Sequence, residues 1–190
     1  MLTQLISRVR RNHGLEHATI HVLSEKHKNF SAQGNSNHKG FSLNIYGDIA
    51  EEDVADAVEE AFGRMKKGEH HLAVHPNCGT VLLTTATLAA LAAQATFAFE
   101  QRRQKQSHMN LSVLLNALPT AVLAVAFSLI ISRPIGVQLQ ARYTVEGNLQ
   151  EMELHSIRSV QPSPVTRLFQ LLLTGGNQLH AKSYRITTVN

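Results

Sequence analysis

The residues best equipped for chemistry lie in one run: Asn12, His13, Glu16, His17 and His21. The histidines are spaced i, i+4, i+8. On a helix, neighbouring pairs then stand one turn apart and can share a metal ion through bonds near ~2.1 Å. His13 and His21 lie about 12 Å apart along the axis, so all three cannot enter one coordination sphere. Other ligands must come from elsewhere. His75-Pro76-Asn77-Cys78 supplies an imidazole and a thiol at i, i+3, with His70 and His71 close by. His13, His17, His75 and Cys78 together form an acceptable donor set for a zinc-like transition metal. The spacing His13-x-x-Glu16-His17 also fits a short pattern in which two histidines bind zinc and a glutamate activates water. That would make Glu16 the general base of a hydrolase. The pattern is short and lacks a distant third ligand, so chance explains it better, and the chain is expected not to be an enzyme. A buried imidazole or carboxylate left unpaired costs about 1–3 kcal/mol. A structural His/Glu cluster is therefore the leading expectation, ahead of a bound metal.

The elements that must position these residues can be read from periodicity. Leu2 to His27 reads as an amphipathic helix, with Leu2, Leu5, Ile6, Val9, Ile20 and Leu23 on one face. His13 and Glu16 project onto that face, His17 lies at its margin, and Arg8 and Arg11 fall opposite. Such a basic helix either lies on a membrane surface or packs on its own domain. Phe30 to Gln33 and Phe41 to Tyr46 read as the strands of a β-hairpin joined by the polar turn Gly34–Gly40. Asp48 is placed to cap a second helix with an acidic first turn, Glu51, Glu52 and Asp53. Its apolar stripe is Val54, Ala57, Val58, Ala61, Phe62 and Met65, and Gly68 is its stop. Toward the C-terminus, strands are expected over Gln138–Val145, Leu149–Val160 and Gln178–Val189, with a short helix over Val165–Leu173 ended by Gly175-Gly176.

Between these parts lie two windows without a charged residue, Pro76–Phe99 and Met109–Ser132. Each exceeds the roughly 20 apolar residues that cross a 30 Å hydrocarbon core. The short, basic link Gln101–His108 makes them antiparallel neighbours. The first window is rich in alanine and threonine and carries Gln94. Ala86, Ala89, Ala90 and Ala93 give it small-xxx-small spacing for close packing. Pro119 is expected to kink the second helix, and Asn116 to hydrogen-bond across the pair.

The 190 residues carry a formal charge of +4, with a pI near 9.5. This implies attraction to anionic surfaces. There is no tryptophan and no nucleic-acid motif, so a lipid bilayer is the expected partner and nucleic acid is not. The single Cys78 excludes an internal disulfide framework. The first residues, Met1 to Arg11, do not read as a secretory signal. Lys and Arg counts at the window ends lean toward both termini in the cytoplasm.

Asn12-His13-x-Leu15-Glu16-His17-Ala18-Thr19-Ile20, Gly68-Glu69 and His75-Pro76-Asn77-Cys78-Gly79-Thr80, followed by two apolar helices, resemble an uncharacterised bacterial family of small membrane proteins, a domain of unknown function. The resemblance covers roughly residues 8–135. It implies that Asn12, His13, Glu16, His17, His75, Asn77 and Cys78 occupy motif positions, and it brings no activity, substrate or cofactor. It departs at Val81, where a polar Asn would be expected.

The expectation is thus an α+β protein. Residues 1–75 form an N-terminal α+β segment, 76–132 a transmembrane helical hairpin, and 133–190 a C-terminal β-rich segment packing with the first. The expected role is that of a multi-pass cell-membrane accessory or scaffold protein. A protein partner or a second copy would be met through the apolar helices. Metal binding is the alternative, and membrane-anchored hydrolysis a more distant one.

Overall fold

The computed structural model describes residues 1–164, 166–168 and 181–189. The 3.6-residue periodicity of the first segment produces helix α1, Leu2–Lys26. It is followed by strands β1, Ser31–Asn37, and β2, Gly40–Tyr46. Helix α2 covers Glu51–Lys66, and a 3-10 turn covers His70–Ala73. Two long helices come next, α3 over Gly79–Arg103 and α4 over Leu111–Leu139, with a π-helical turn at Gln140–Thr144. Strands β3, Glu153–Val160, and β4, Lys182–Val189, complete the order. The chain divides into two units, residues 1–75 with 143–190, and residues 76–142.

In the first unit the four strands pair in the order β1-β2-β4-β3, antiparallel throughout. β4 therefore lies inside the sheet, with the N-terminal hairpin on one side and β3 on the other. Phe41, Leu43 and Ile45 of β2 alternate toward the same face as Tyr184 and Ile186 of β4. Against that face pack Leu15, Ala18, Val22 and Leu23 of α1, and Val54, Ala57, Val58, Ala61 and Met65 of α2. Burying each large apolar side chain contributes about 1.5–3 kcal/mol. The other sheet face is polar: the Ser183 hydroxyl donates to Asn44 Oδ1 at 2.6 Å. At the β1–β2 turn, Gly40 has φ +135°, and a Cβ there would overlap the Ile186 carbonyl. Only glycine tolerates both.

Arg64 joins the helices to the segment that follows them. It forms ion pairs with Glu25 at 2.7 Å and Glu69 at 2.9 Å. The hydrogen bonds of Glu69 and then Glu25 hold the guanidinium pKa above its ordinary value.

The second unit is an antiparallel pair of helices. Both are long and apolar enough to cross a membrane. Their large side chains point outward: Leu82, Leu83, Leu91, Phe99, Leu123 and Ile130 are all exposed. The inward face of α4 is built of Val113, Ala117, Ala121, Ser128, Ser132 and Gly136. At Gly136 a Cβ would come 2.9 Å from Val81 Cα of α3. Thr85 and Ser132 hydroxyls meet at 2.9 Å.

Several sequence expectations are corrected. Gln138–Val145 is not a strand: α4 continues through it as helix and π-helical turn. Its alternation of polar and apolar residues mimics a strand. Yet no glycine or proline breaks the chain between Gly136 and Gly147, and extending an existing helix is cheaper than starting a new element. The hairpin strands run to Asn37 and from Gly40, leaving a turn only at His38-Lys39. The second helix starts after Ala50 with no side-chain cap, so Asp48 is not its N-cap. The later strand begins at Glu153, not Leu149, although Leu149 and Met152 are buried. Of the small residues expected to line the contact on α3, Ala86 and Ala90 are exposed and Ala89 and Ala93 are half-buried. Only the second pair is placed to pack, and α4 supplies its own small-residue face. Asn116 donates to Ser112 O of its own helix at 2.8 Å, not across the pair. The helix expected over Val165–Leu173 lies largely outside the described residues, as do Gln178 to His180.

Candidate functional site

Helix α1 sorts the motif residues onto two faces of the first unit. Asn12 and Glu16, one turn apart, meet the sheet. The Asn12 side-chain amide donates to Asn37 O at 2.8 Å, and the Thr188 hydroxyl donates to Asn12 Oδ1 at 2.8 Å. Glu16 is 4% exposed, and the Ser36 hydroxyl donates to its carboxylate. This carboxylate lies so close to β1 that a Cβ on Gly34 would overlap it. A glutamate bound under a sheet in this way is poorly placed to activate water.

His13, His17 and His21 form the second face. His13 Nδ1 is 2.9 Å from Thr144 O, His17 Nδ1 2.8 Å from Ala73 O, and His21 Nε2 2.9 Å from Val74 O. A carbonyl oxygen only accepts, so each of these ring nitrogens carries the proton. In the neutral ring the other nitrogen, Nε2 of His13 and His17 and Nδ1 of His21, keeps its lone pair. The rings are neighbours: His13 and His17 centroids lie 4.4 Å apart, His17 and His75 5.8 Å, and His21 and His75 4.9 Å. Four imidazoles from α1 and the segment after the 3-10 turn thus converge. His17 is 3% exposed. His70 and His71 are exposed.

The remaining motif residues belong to the helical pair. Cys78 is the N-cap of α3, its sulfur accepting from Thr80 N–H at 3.5 Å. Asn77 is exposed. Val81, standing where Asn would be expected, packs against Gly136.

Next to the histidines, the arginines of α1 turn inward. Arg11 is buried, hydrogen-bonds Gln150 and lies 3.6 Å from Glu146. Arg10 donates to Val145 O at 2.9 Å, and Glu146 N–H donates back to Arg10 O at 3.0 Å. A Cβ on Gly14 would come 2.6 Å from Glu146 O. Arg11, expected on the solvent side, instead binds Glu146 and Gln150, in the segment that directly follows Thr144, the His13 partner. Sequence reasoning missed this clasp and the role of Gly34. Neither leaves a signal in spacing, because both depend on which distant segment returns to α1.

Fold and site together define a two-layer α+β unit interrupted by an apolar helical pair, with a histidine cluster between α1 and the segment leading into that pair. The chain belongs to the family described as domain of unknown function DUF6391, whose profile matches residues 8–157. It is also similar to an uncharacterized protein of Picosynechococcus sp. strain PCC 7002, 39% identical over 98 residues. That alignment spans 45% of this chain and 47% of the relative, so the chain spans about half of that protein's length. No solved structure matches.

Proposed function

We propose that the chain is a membrane-anchored, non-enzymatic protein whose histidine cluster holds a zinc-type transition metal ion. The observation that carries the metal reading is the tautomer arrangement. His13 and His17 each give Nδ1–H to a backbone carbonyl, which leaves Nε2 as the donor nitrogen. Metal-binding histidines are oriented by such a hydrogen bond from the other ring nitrogen. Two nitrogens bound to one tetrahedral zinc at ~2.1 Å stand about 3.4 Å apart, and the ring separations allow this for His13–His17 and His17–His75. His75 completes a set of three imidazoles.

The membrane reading rests on the outward faces of α3 and α4. A soluble protein seldom exposes so large a contiguous apolar surface. β2 and β4 pair in one sheet, and the chain between them contains both helices. An even number of crossings returns the chain to the sheet, so the two flanks would share one side of the bilayer. The Lys and Arg distribution favours the cytoplasmic side.

The test is metal analysis of the full chain purified in neutral detergent. One zinc or cobalt ion per chain is expected, with cobalt giving the visible absorption of tetrahedral nitrogen or sulfur ligation. His17→Ala is expected to lose the ion while keeping its circular dichroism. Absence of stoichiometric metal in the folded wild-type chain would return the histidines to a purely structural role. Metal retained together with hydrolysis abolished by Glu16→Gln would instead favour the hydrolase.

A further inference from the structure

The sheet carries a second cluster of functional groups, separate from the histidines. Strand register sets Arg158 of β3 directly opposite Arg185 of β4. Both are on the face away from the core, because the neighbouring pair Ile157 and Ile186 faces inward. Like charges directly opposite on adjacent strands repel. Arg185 turns to neutral acceptors, Ser42 Oγ at 3.2 Å and Asn37 Oδ1 at 3.0 Å. Among the described residues neither arginine forms an ion pair.

Beside Arg158 opens a cleft of about 510 Å³, lined by Arg8 of α1, His38 and Lys39 of the β1–β2 turn, His155 and Thr187. No carboxylate is among its described lining residues. Arg8 brings a guanidinium whose buried Nε has no hydrogen-bond partner among the described residues. Thr187 and Ser156 share one hydrogen bond of 2.6 Å. Two hydroxyls have two protons, so one remains to donate outward. Three permanent cations, two imidazoles and a spare hydroxyl donor therefore surround one cavity, and no carboxylate among its described lining residues balances them.

We propose that this cleft binds a phosphomonoester group, clamped by Arg8, Lys39 and Arg158. Guanidinium groups bind phosphate oxygens in pairs, and three cations match a dianion better than a single carboxylate. The cavity is larger than a phosphate ion, so it admits the group that the phosphate is attached to. A soluble phosphate ester and the headgroup of phosphatidic acid present the same chemistry.

The test is calorimetric titration of the full chain in neutral detergent. The probes are inorganic phosphate and micelle-borne dioctanoyl phosphatidic acid, with zwitterionic dioctanoyl phosphatidylcholine, a phosphodiester of zero net charge, as the comparison. Saturable binding of at least one anionic probe is expected, weakened about tenfold by Arg158→Gln and by Lys39→Gln. Both side chains are exposed, so these variants keep the fold. Lys67→Gln, an exposed charge on another surface, is expected to change nothing. Phosphatidic acid binding about tenfold tighter than phosphate would assign the site to lipid, and equal affinities would assign it to soluble esters. Absence of saturable binding by both probes, or equal weakening by Lys67→Gln and Arg158→Gln, would overturn the proposal.

Discussion

At the scale of single residues, the motif on α1 turns out to have two separate tasks. Asn12 and Glu16 fasten the helix to β1 and β4, while His13, His17 and His21 face the segment that carries His75. The run of residue types drew attention to all of these, but the helical projection put His13 and Glu16 on one face. The structure separates them: Glu16 meets Ser36 and His13 meets Thr144. Spacing could not separate the two tasks, because Gly34, Ser36, Thr144 and Thr188 lie far from α1 in sequence. The division has a measurable consequence. Gly34→Ala forces the Glu16 carboxylate off β1 and breaks its bond from Ser36. A destabilisation of about 1–3 kcal/mol is expected in chemical unfolding, because a buried carboxylate loses a partner. Metal content should be nearly unchanged in that variant. His17→Ala should lose the ion and, because the buried Ala73 carbonyl also loses its donor, destabilise the metal-free protein by about 1–3 kcal/mol. Metal content is therefore the readout that separates the two variants.

Among the elements, the helical pair was legible in outline and misread in detail. Absence of charge over two long windows marks both helices, because apolar composition is a property of the window itself. Which face packs is a property of the pair. Of the α3 alanines, Ala86 and Ala90 are exposed while Ala89 and Ala93 are half-buried, and α4 brings Ala117, Ala121, Ser128, Ser132 and Gly136 to the contact. The contact can be trapped. With Cys78→Ser to remove the native thiol, Thr85→Cys combined with Ser132→Cys is expected to form a disulfide on mild oxidation, since the two hydroxyls already touch. Ala86→Cys with Ser132→Cys should remain largely reduced. The α1–α2 pair offers a pH test. Lys26 donates to Glu60 at 2.6 Å, and that hydrogen bond, ahead of other causes, lowers the Glu60 pKa from its ordinary 4.5. A carboxylate with a lowered folded pKa adds stability that is present above the unfolded value and lost as pH falls through the folded one. Glu60→Gln should therefore flatten the pH dependence of stability below about pH 4.5 and leave it unaltered near neutrality. Both groups are exposed, so the change is small.

For the whole molecule, one experiment separates the two units. Residues 76–142 can be replaced by a flexible polar linker. The remaining α+β unit keeps its sheet and core and is expected to elute as a monodisperse species without detergent. The full chain should require detergent and float with lipid vesicles after alkaline washing. If the full chain remained monodisperse in plain buffer, the membrane reading would fail. The order of the sheet carries one more consequence. β4 is inside it, yet it is synthesised after both apolar helices, and the Asn12–Thr188 hydrogen bond closes a loop of 176 residues. Until β4 arrives, one side of β2, with Phe41, Leu43 and Ile45, has no neighbour. A ribosome paused within the helical pair would therefore hold out an open apolar strand edge, ready to pair with another nascent chain. The crowded interval before the last strand emerges, not the finished protein, is where this molecule is most exposed to aggregation.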